Sequence, residues 1–393
     1  MKILVLTEQF PPLVGGAPVA VYNFVRHWTD DHVIVVTARR PGAETFDHDQ
    51  PFEVRRVWMW DGPIVGFHPI GWLWLAYFTL YCWRTLRNER PDAIYCGTII
   101  PFAAILHWLL PQADCPVVVQ AWGEDLGGFE RVPWKARFVS RLLASADRVV
   151  VVGPYMEEFA RQMGARPDGL VLVAPGVDAT EFHPNLEKNE ALRGRYGLHP
   201  HDKVLCTVAR LEAHKGIDTA IKAVARLANS RPELRYLIVG DGPENESLKA
   251  LAAVLGLKDV VIFAGLVSNE EIPSSYALAD CFVMPNRLVK ETGYFESFGI
   301  SFIEASACGL PVIGSRSGGA TDAIRHGKTG LLLDDPEDDA ALAETIEALL
   351  ADPPRAKAMG AAGRQWVLEA FDWETNSRSL RAVLHEAVEE QRE

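Results

Sequence analysis

Short apolar runs of strand length alternate with helix-length amphipathic patterns along nearly the whole chain, and the series occurs twice. In the first half the strand-like runs fall at 3–6, 33–37, 93–96, 117–120, 148–152 and 170–174, with helical patterns at 19–29, 70–87, 101–109, 135–144 and 154–163. In the second half the runs fall at 204–209, 236–239, 260–263, 281–284 and 312–314. The helical patterns there are 218–229, 245–255, 274–279, 301–308, 321–326 and 339–351. Strand, helix and strand in that order predict parallel strands joined by crossover helices. An irregular polar stretch, 176–202, with Pro184, Gly194, Gly197 and Pro200, reads as the break between the two series. At 393 residues two cores are expected rather than one. The expected fold is therefore α/β, with two doubly wound domains facing across a cleft. Domain boundaries are expected at 1–178 and 179–372, with 373–393 a C-terminal helix returning to the first domain. Ligands bind such sheets at the C-terminal ends of strands, where glycine-rich loops open helices.

Charge and cysteine usage narrow the function. The net charge is −13 and no block of Lys and Arg offsets it, which argues against nucleic acid as a partner. A small anion remains compatible, because a few cations and helix N-termini suffice to hold it. The six cysteines, Cys82, Cys96, Cys115, Cys206, Cys281 and Cys308, form no C-x-x-C pair, so they read as buried thiols in a reducing compartment. Ile3-Leu4-Val5-Leu6 gives way at once to Thr7-Glu8-Gln9, too short an apolar run for a secretory leader. A cytoplasmic protein is expected. The stretch 70–83, IGWLWLAYFTLYCW, followed by Arg84 and Arg87, falls short of the roughly 20 residues a membrane span needs. It reads either as a helix packed in the core or as a surface helix that docks on the inner face of a membrane or on a lipid acceptor.

The residues with most chemical content are clustered in the second half. Glu296-Ser-Phe-Gly-Ile-Ser-Phe-Ile-Glu304 holds two glutamates that cannot share one helix face, since eight steps overshoot two turns by about 80°. Glu296 is expected on a loop beside a sugar, with Gly299 at the bend. Glu304 is expected inside the following helix, where it would accept ribose hydroxyls. Arg210 and Lys215 follow a strand and can both face a ligand, Arg as a planar fork for two phosphate oxygens and Lys as a compact charge. Gly15 and Gly16, between the first strand and first helix, can add amide donors. Asp47-His48-Asp49 and the acidic run 334–339 read as a polar loop and a helix start rather than as metal ligands.

These pieces stand in order. The chain resembles the retaining glycosyltransferases of the GT-B type, family 4, over essentially its whole length. Glu296 and Glu304 match that family's E-x7-E motif. Val208-Ala-Arg210-Leu-Glu-Ala-His-Lys215-Gly216 matches its phosphate clamp, and Val239-Gly240-Asp-Gly242-Pro243 its strand-end turn. Gly309-Leu-Pro311-Val312, Gly318-Gly319, Gly176-Val177-Asp178 with Phe182 and Pro184, and Pro11-Pro12 with Gly15-Gly16 match further segments. Met284-Pro285-Asn286-Arg287 leading to Phe295-Glu296, and Met359-Gly360-Ala-Ala-Gly363-Arg364, are most similar to the phosphatidylinositol mannosyltransferase branch.

The resemblance implies two Rossmann-like domains and transfer of a hexose from GDP-mannose or a UDP-sugar to a lipid or glycan acceptor. It implies retention of configuration and neither a metal nor another cofactor. It implies a donor site of Gly15, Gly16, Arg210, Lys215, Glu296, Phe298, Gly299, Ile300 and Glu304, with Glu296, Arg210 and Lys215 in the catalytic set. The sequence departs from the family at Gln120-Ala-Trp122-Gly123-Glu124-Asp125, where many relatives carry a histidine at the place of Trp122. An indole donates one hydrogen bond and shuttles no proton, though it can stack on a sugar. Asp125 or Glu124 then either orients the acceptor hydroxyl, which would add Asp125 to the catalytic set, or caps the following loop. His214 reads as a neighbour of Lys215. A sugar-nucleotide epimerase and a catalytically degenerate binding protein are the rival readings. A dehydrogenase fits less well, because the first loop lacks a complete G-x-G-x-x-G and no acid follows Thr37.

Overall fold

Every strand pairing in the two main sheets is parallel, as an alternating strand–helix order requires. The computed structural model describes residues 1–393 apart from 14, 59–68, 100–101, 110–112, 124–125, 127–132 and 187–189. The chain forms two units, Met1–Pro175 together with Trp373–Glu393, and Gly176–Asp372.

In the first unit β1 (Lys2–Leu6), β2 (His32–Ala38), β3 (Glu53–Val57), β4 (Ala93–Cys96), β5 (Val117–Ala121), β6 (Arg148–Val151) and β7 (Leu170–Leu172) form one sheet. Its order is β3-β2-β1-β4-β5-β6-β7. Leu4 pairs with Ile34 on one side and Ile94 on the other, and all three are fully buried. Helices cover both faces, so the central strands read as unbroken apolar runs rather than alternating ones. In the second unit β8 (Lys203–Val208), β9 (Leu234–Val239), β10 (Val261–Gly265), β11 (Cys281–Val283), β12 (Val312–Ser315) and β13 (Gly330–Leu333) follow the order β10-β9-β8-β11-β12-β13. The order reverses between β1 and β4 and again between β8 and β11. The loops leaving the C-terminal ends of these four strands are therefore where ligands are expected.

The sequence pattern misses the short helices Ala43–His48, which makes Asp47 and His48 helical rather than part of a loop, and Glu190–Arg195. Three further elements escape it for identifiable reasons. β3 is an edge strand whose residues Arg55 and Arg56 are only half-buried, so it carries no apolar signature. β13 is a four-residue edge strand. The helix Pro353–Ala370 contains Gly360 and Gly363, which disguise it. A Cβ on Gly360 would lie 1.9 Å from the Gly309 carbonyl oxygen, so the close crossing demands glycine. The stretch 176–202 is not a free linker. It contains the helix Glu190–Arg195 and belongs to the second unit, and the chain passes between units at Pro175–Gly176 and Asp372–Trp373. Within the second unit the Val177 amide donates to the Phe371 carbonyl at 2.8 Å, tying its two ends together. All six cysteines are buried thiols.

The helix Trp373–Arg392 packs on the helix Gly16–Val25 of the first unit. The Trp28 indole donates to the Ser377 carbonyl at 3.2 Å, and the Ser377 hydroxyl donates to the Phe24 carbonyl at 2.6 Å. Asp31, its side chain out of solvent, accepts from the terminal amino group of Met1 at 2.8 Å and pairs with Arg381. Burial alone would raise the Asp31 carboxyl, but these two cations hold it below the usual range. Removing Arg381 leaves a buried carboxylate short of a partner. Arg381→Ala is expected to cost about 2 kcal/mol in chemical denaturation. Because a depressed carboxyl contributes its stability above its ordinary pKa of 3.8, the deficit should shrink as pH falls below that value.

Candidate active site

The loop after β8 and the loop after β11 meet in the second unit. The first runs through a short 3-10 turn, Ala213–Lys215, closed by the Lys215 amide donating to the Glu212 carbonyl at 3.0 Å. The turn brings the Lys215 ammonium to 2.6 Å from a carboxylate oxygen of Glu296, on the second loop. Both side chains are largely buried. The Glu296 segment is held from behind: the Gly319 amide donates to the Glu296 carbonyl at 2.7 Å. A Cβ on Gly319 would sit 1.9 Å from the Ser297 carbonyl oxygen, so no larger residue allows this approach. Gly299, with φ of 85°, opens the helix Ile300–Ala307, and no side chain caps that helix. Its first amides and the positive end of its dipole are available to an anion or a hydroxyl.

Charge is distributed unevenly across these residues. Burial pushes the Glu296 carboxyl up, but the adjacent Lys215 charge and hydrogen bond hold it below the usual range, so it is ionised. His214, buried, is held down to about 4 by that burial and by Lys215, and stays neutral near pH 7. Arg210 is 69% exposed and lies 3.0 Å from Glu212. It presents its guanidinium to solvent while Lys215 is screened by Glu296. Glu304 lies one turn into the helix and accepts from the Tyr276 hydroxyl at 2.7 Å. Burial, reinforced by Glu181, pushes its carboxyl up to about 7. Phe298 is buried with its ring edge-on to Phe371 at 5.4 Å. Ile300 is partly exposed at the helix start.

The first unit offers less than expected. Gly15 and Gly16 are exposed at the uncapped start of the helix Gly16–Val25, where their amides can meet a ligand. Trp122 is engaged within the first unit. It is 7% exposed, its ring stacks on Phe24 at 6.4 Å, and its indole donates to the Gly97 carbonyl at 2.7 Å. That single donor is spent on the backbone, and the ring packs in the first unit. Glu124 and Asp125 lie outside the described residues. Asp47 is engaged by two hydrogen bonds from Arg56, at 2.7 and 2.9 Å, and Asp338 caps the helix Asp339–Ala351. Both acidic motifs thus have structural employment.

Three contributors were not singled out as site residues by the sequence, although Asn286 and Arg287 lie in the segment that resembles the mannosyltransferase branch. Tyr276 is a fully buried helix residue whose hydroxyl reaches Glu304. Asn286, fully buried, donates to the Ser317 carbonyl at 2.6 Å and ties the Glu296 loop to the glycine turn behind it. Arg287 pairs with Asp218 at 2.9 Å.

Residues 15–176 match the family model described as glycosyl transferase 4-like domain, and residues 188–366 match glycosyl transferases group 1. The chain is 32% identical over 385 residues to the GDP-mannose-dependent alpha-(1-6)-phosphatidylinositol monomannoside mannosyltransferase of Mycolicibacterium smegmatis, covering 97% of this chain and 98% of that one. It is 34% identical over 264 residues to a D-inositol 3-phosphate glycosyltransferase of Acidothermus cellulolyticus, covering 64% and 56%. Among solved structures, Anabaena HepE in complex with UDP and glucose aligns at a TM-score of 0.81 with 22% identity, covering 98% of this chain and 99% of that one. A sucrose-phosphate synthase of Thermosynechococcus elongatus aligns at 0.82 with 23% identity, each chain covered to 98%. The two structures show a shared GT-B fold.

The raised Glu304 carboxyl has a measurable consequence. Its ordinary value is 4.5 and its folded value about 7, so the folded protein keeps a proton that the unfolded chain has released. The stability from this group is fully present below 4.5 and is lost as pH rises through about 7. Glu304→Gln should therefore match the wild type in thermal midpoint at pH 4 and exceed it at pH 8. Parallel profiles for the two proteins would contradict this.

Proposed function

The chain belongs to the glycosyltransferases that draw on a nucleotide sugar, and from that premise we propose that it is a retaining, metal-independent mannosyltransferase acting on a membrane lipid. The observation that carries the reading is the buried Lys215–Glu296 pair beside the solvent-facing guanidinium of Arg210. A diphosphate leaving group develops charge as the bond from sugar C1 to phosphate oxygen breaks. Arg210 and Lys215 can neutralise it from the end of β8, aided by the uncapped start of the helix Ile300–Ala307.

The transfer runs on one face of the sugar. The acceptor hydroxyl oxygen bonds to C1, the C1–O bond to the diphosphate breaks, and the acceptor proton passes to the departing phosphate oxygen. Atoms and charge balance without a protein nucleophile, and the residues act by positioning and electrostatics. Glu296, ionised by Lys215, accepts hydroxyls of the donor sugar. Glu304 accepts those of the ribose once it has shed its proton. GDP-mannose as donor and a mannosylated phosphoinositide lipid as acceptor are supported by the relatives similar over nearly the full chain.

No helix among the described residues is long and apolar enough to cross a membrane. The helix Pro69–Glu89 nevertheless exposes Leu73, Tyr77 and Leu80, with Arg84 and Arg87 further along the same side. Arg87 lies over the Trp83 ring at 4.8 Å. Apolar residues followed by cations suit contact with an anionic leaflet, whereas Trp74 and Phe78 on the opposite side fill the core.

The test is transfer from GDP-mannose, with EDTA present, to phosphoinositide glycolipid held in anionic vesicles. The product should carry an α-linked mannose. Lys215→Ala should lose at least ~2 kcal/mol of transition-state stabilisation in kcat/KM. Leu80→Glu should lose activity on vesicles and keep it on detergent-dispersed acceptor. Near-normal turnover by Lys215→Ala would remove the phosphate-clamp assignment, and a β-linked product would remove retention.

A further inference from the structure

The turn that carries Lys215 and the loop that carries Glu296 are joined at three places besides the ion pair itself. Gly216 adopts a left-handed conformation, φ 69°, and a Cβ there would lie 2.0 Å from the Pro285 carbonyl oxygen, so the two backbones are in direct contact. Next along the loop, the Arg287 amide donates to the His214 carbonyl at 2.8 Å. The Arg287 guanidinium then reaches across to Asp218 at 2.9 Å and to the Thr219 hydroxyl at 3.3 Å. Asp218 and Thr219 stand in the first turn of the helix Ile217–Leu227, immediately after Lys215 and Gly216. Arg287 is 16% exposed at its side chain and Thr219 is buried. A largely buried, charged contact of this kind has far more geometric authority than a surface pair.

We propose that Arg287 is a positioning residue of the transfer reaction, acting through Lys215: it staples the Lys215 turn to the Glu296 loop and so holds the lysine's backbone within reach of the donor diphosphate. The proposal rests on the donor-site reading above. Arg287 itself is occupied by Asp218 and Thr219 and touches no reacting group. Its planar fork spans two partners on one helix turn, which a lysine ammonium reproduces only in part. His214, within the Lys215 turn, is neutral and adds no charge to compete for Glu296, while Glu212 and Arg210 are charged groups beside the turn.

A residue that acts only by stabilising the fold loses the same factor in any background, whereas one that acts through Lys215 has nothing left to lose once Lys215 is gone. The experiment is a double-mutant cycle on GDP binding by calorimetry, using wild type, Arg287→Ala, Lys215→Ala and the double variant. UDP is titrated in parallel and thermal midpoints are recorded. Arg287→Ala should weaken GDP about tenfold in the wild-type background and less than about twofold in the Lys215→Ala background, with Arg287→Lys intermediate. Equal losses in both backgrounds would overturn the proposal and leave Arg287 a residue of general stability. Failure of the wild-type protein to bind either nucleotide would overturn the donor-site reading and the proposal with it.

Discussion

A single ion pair organises the second unit. Lys215 and Glu296 lie 2.6 Å apart and largely out of solvent, and each would be costly to bury alone. Their separation in the chain means that two different strand-end loops must be held in register to within a fraction of an ångström. Small residues and backbone contacts do this work: Gly216 against Pro285, Gly319 against Ser297, Asn286 on Ser317. Within the pair, each charge offsets the other's burial. Under the proposed function, Arg210, mostly exposed, is the cation that an incoming diphosphate would meet first.

The two sheets solve the same problem with different residues. Each reverses its strand order once, and each places exposed or uncapped helix starts just beyond the strands that flank the reversal: Gly15 and Gly16 in the first unit, Gly299 and Ile300 in the second. The second unit adds charge. The first unit instead fills the position after β5 with an indole that is bonded to backbone and packed on Phe24. Glu296, held ionised by Lys215, is under the proposed function the hydroxyl acceptor of the second unit.

Much of this was legible in the sequence because the controlling signals are local. Apolar runs of strand length fix the parallel sheets, and Arg210, Lys215, Glu296 and Glu304 sit in short segments whose spacing follows directly from strand, turn and helix. What the sequence hid depends on contacts between distant segments. Nothing near Tyr276 says that its hydroxyl reaches Glu304, and nothing near Arg287 says that it returns to Asp218. Trp122 invited a stacking role by its position, yet its one donor was already committed to Gly97. The helix Pro353–Ala370 was obscured by glycines whose purpose, a close crossing over Gly309, appears only in three dimensions.

The most direct test is a crystal structure of the protein with GDP, grown after EDTA treatment. If Lys215 is held in reserve by Glu296, its ammonium will have moved onto the diphosphate together with the Arg210 guanidinium, leaving Glu296 turned toward the sugar position and no metal between phosphate and protein. A diphosphate bound away from Arg210, with the Lys215–Glu296 contact intact, would contradict the exchange on which the whole site is argued to work.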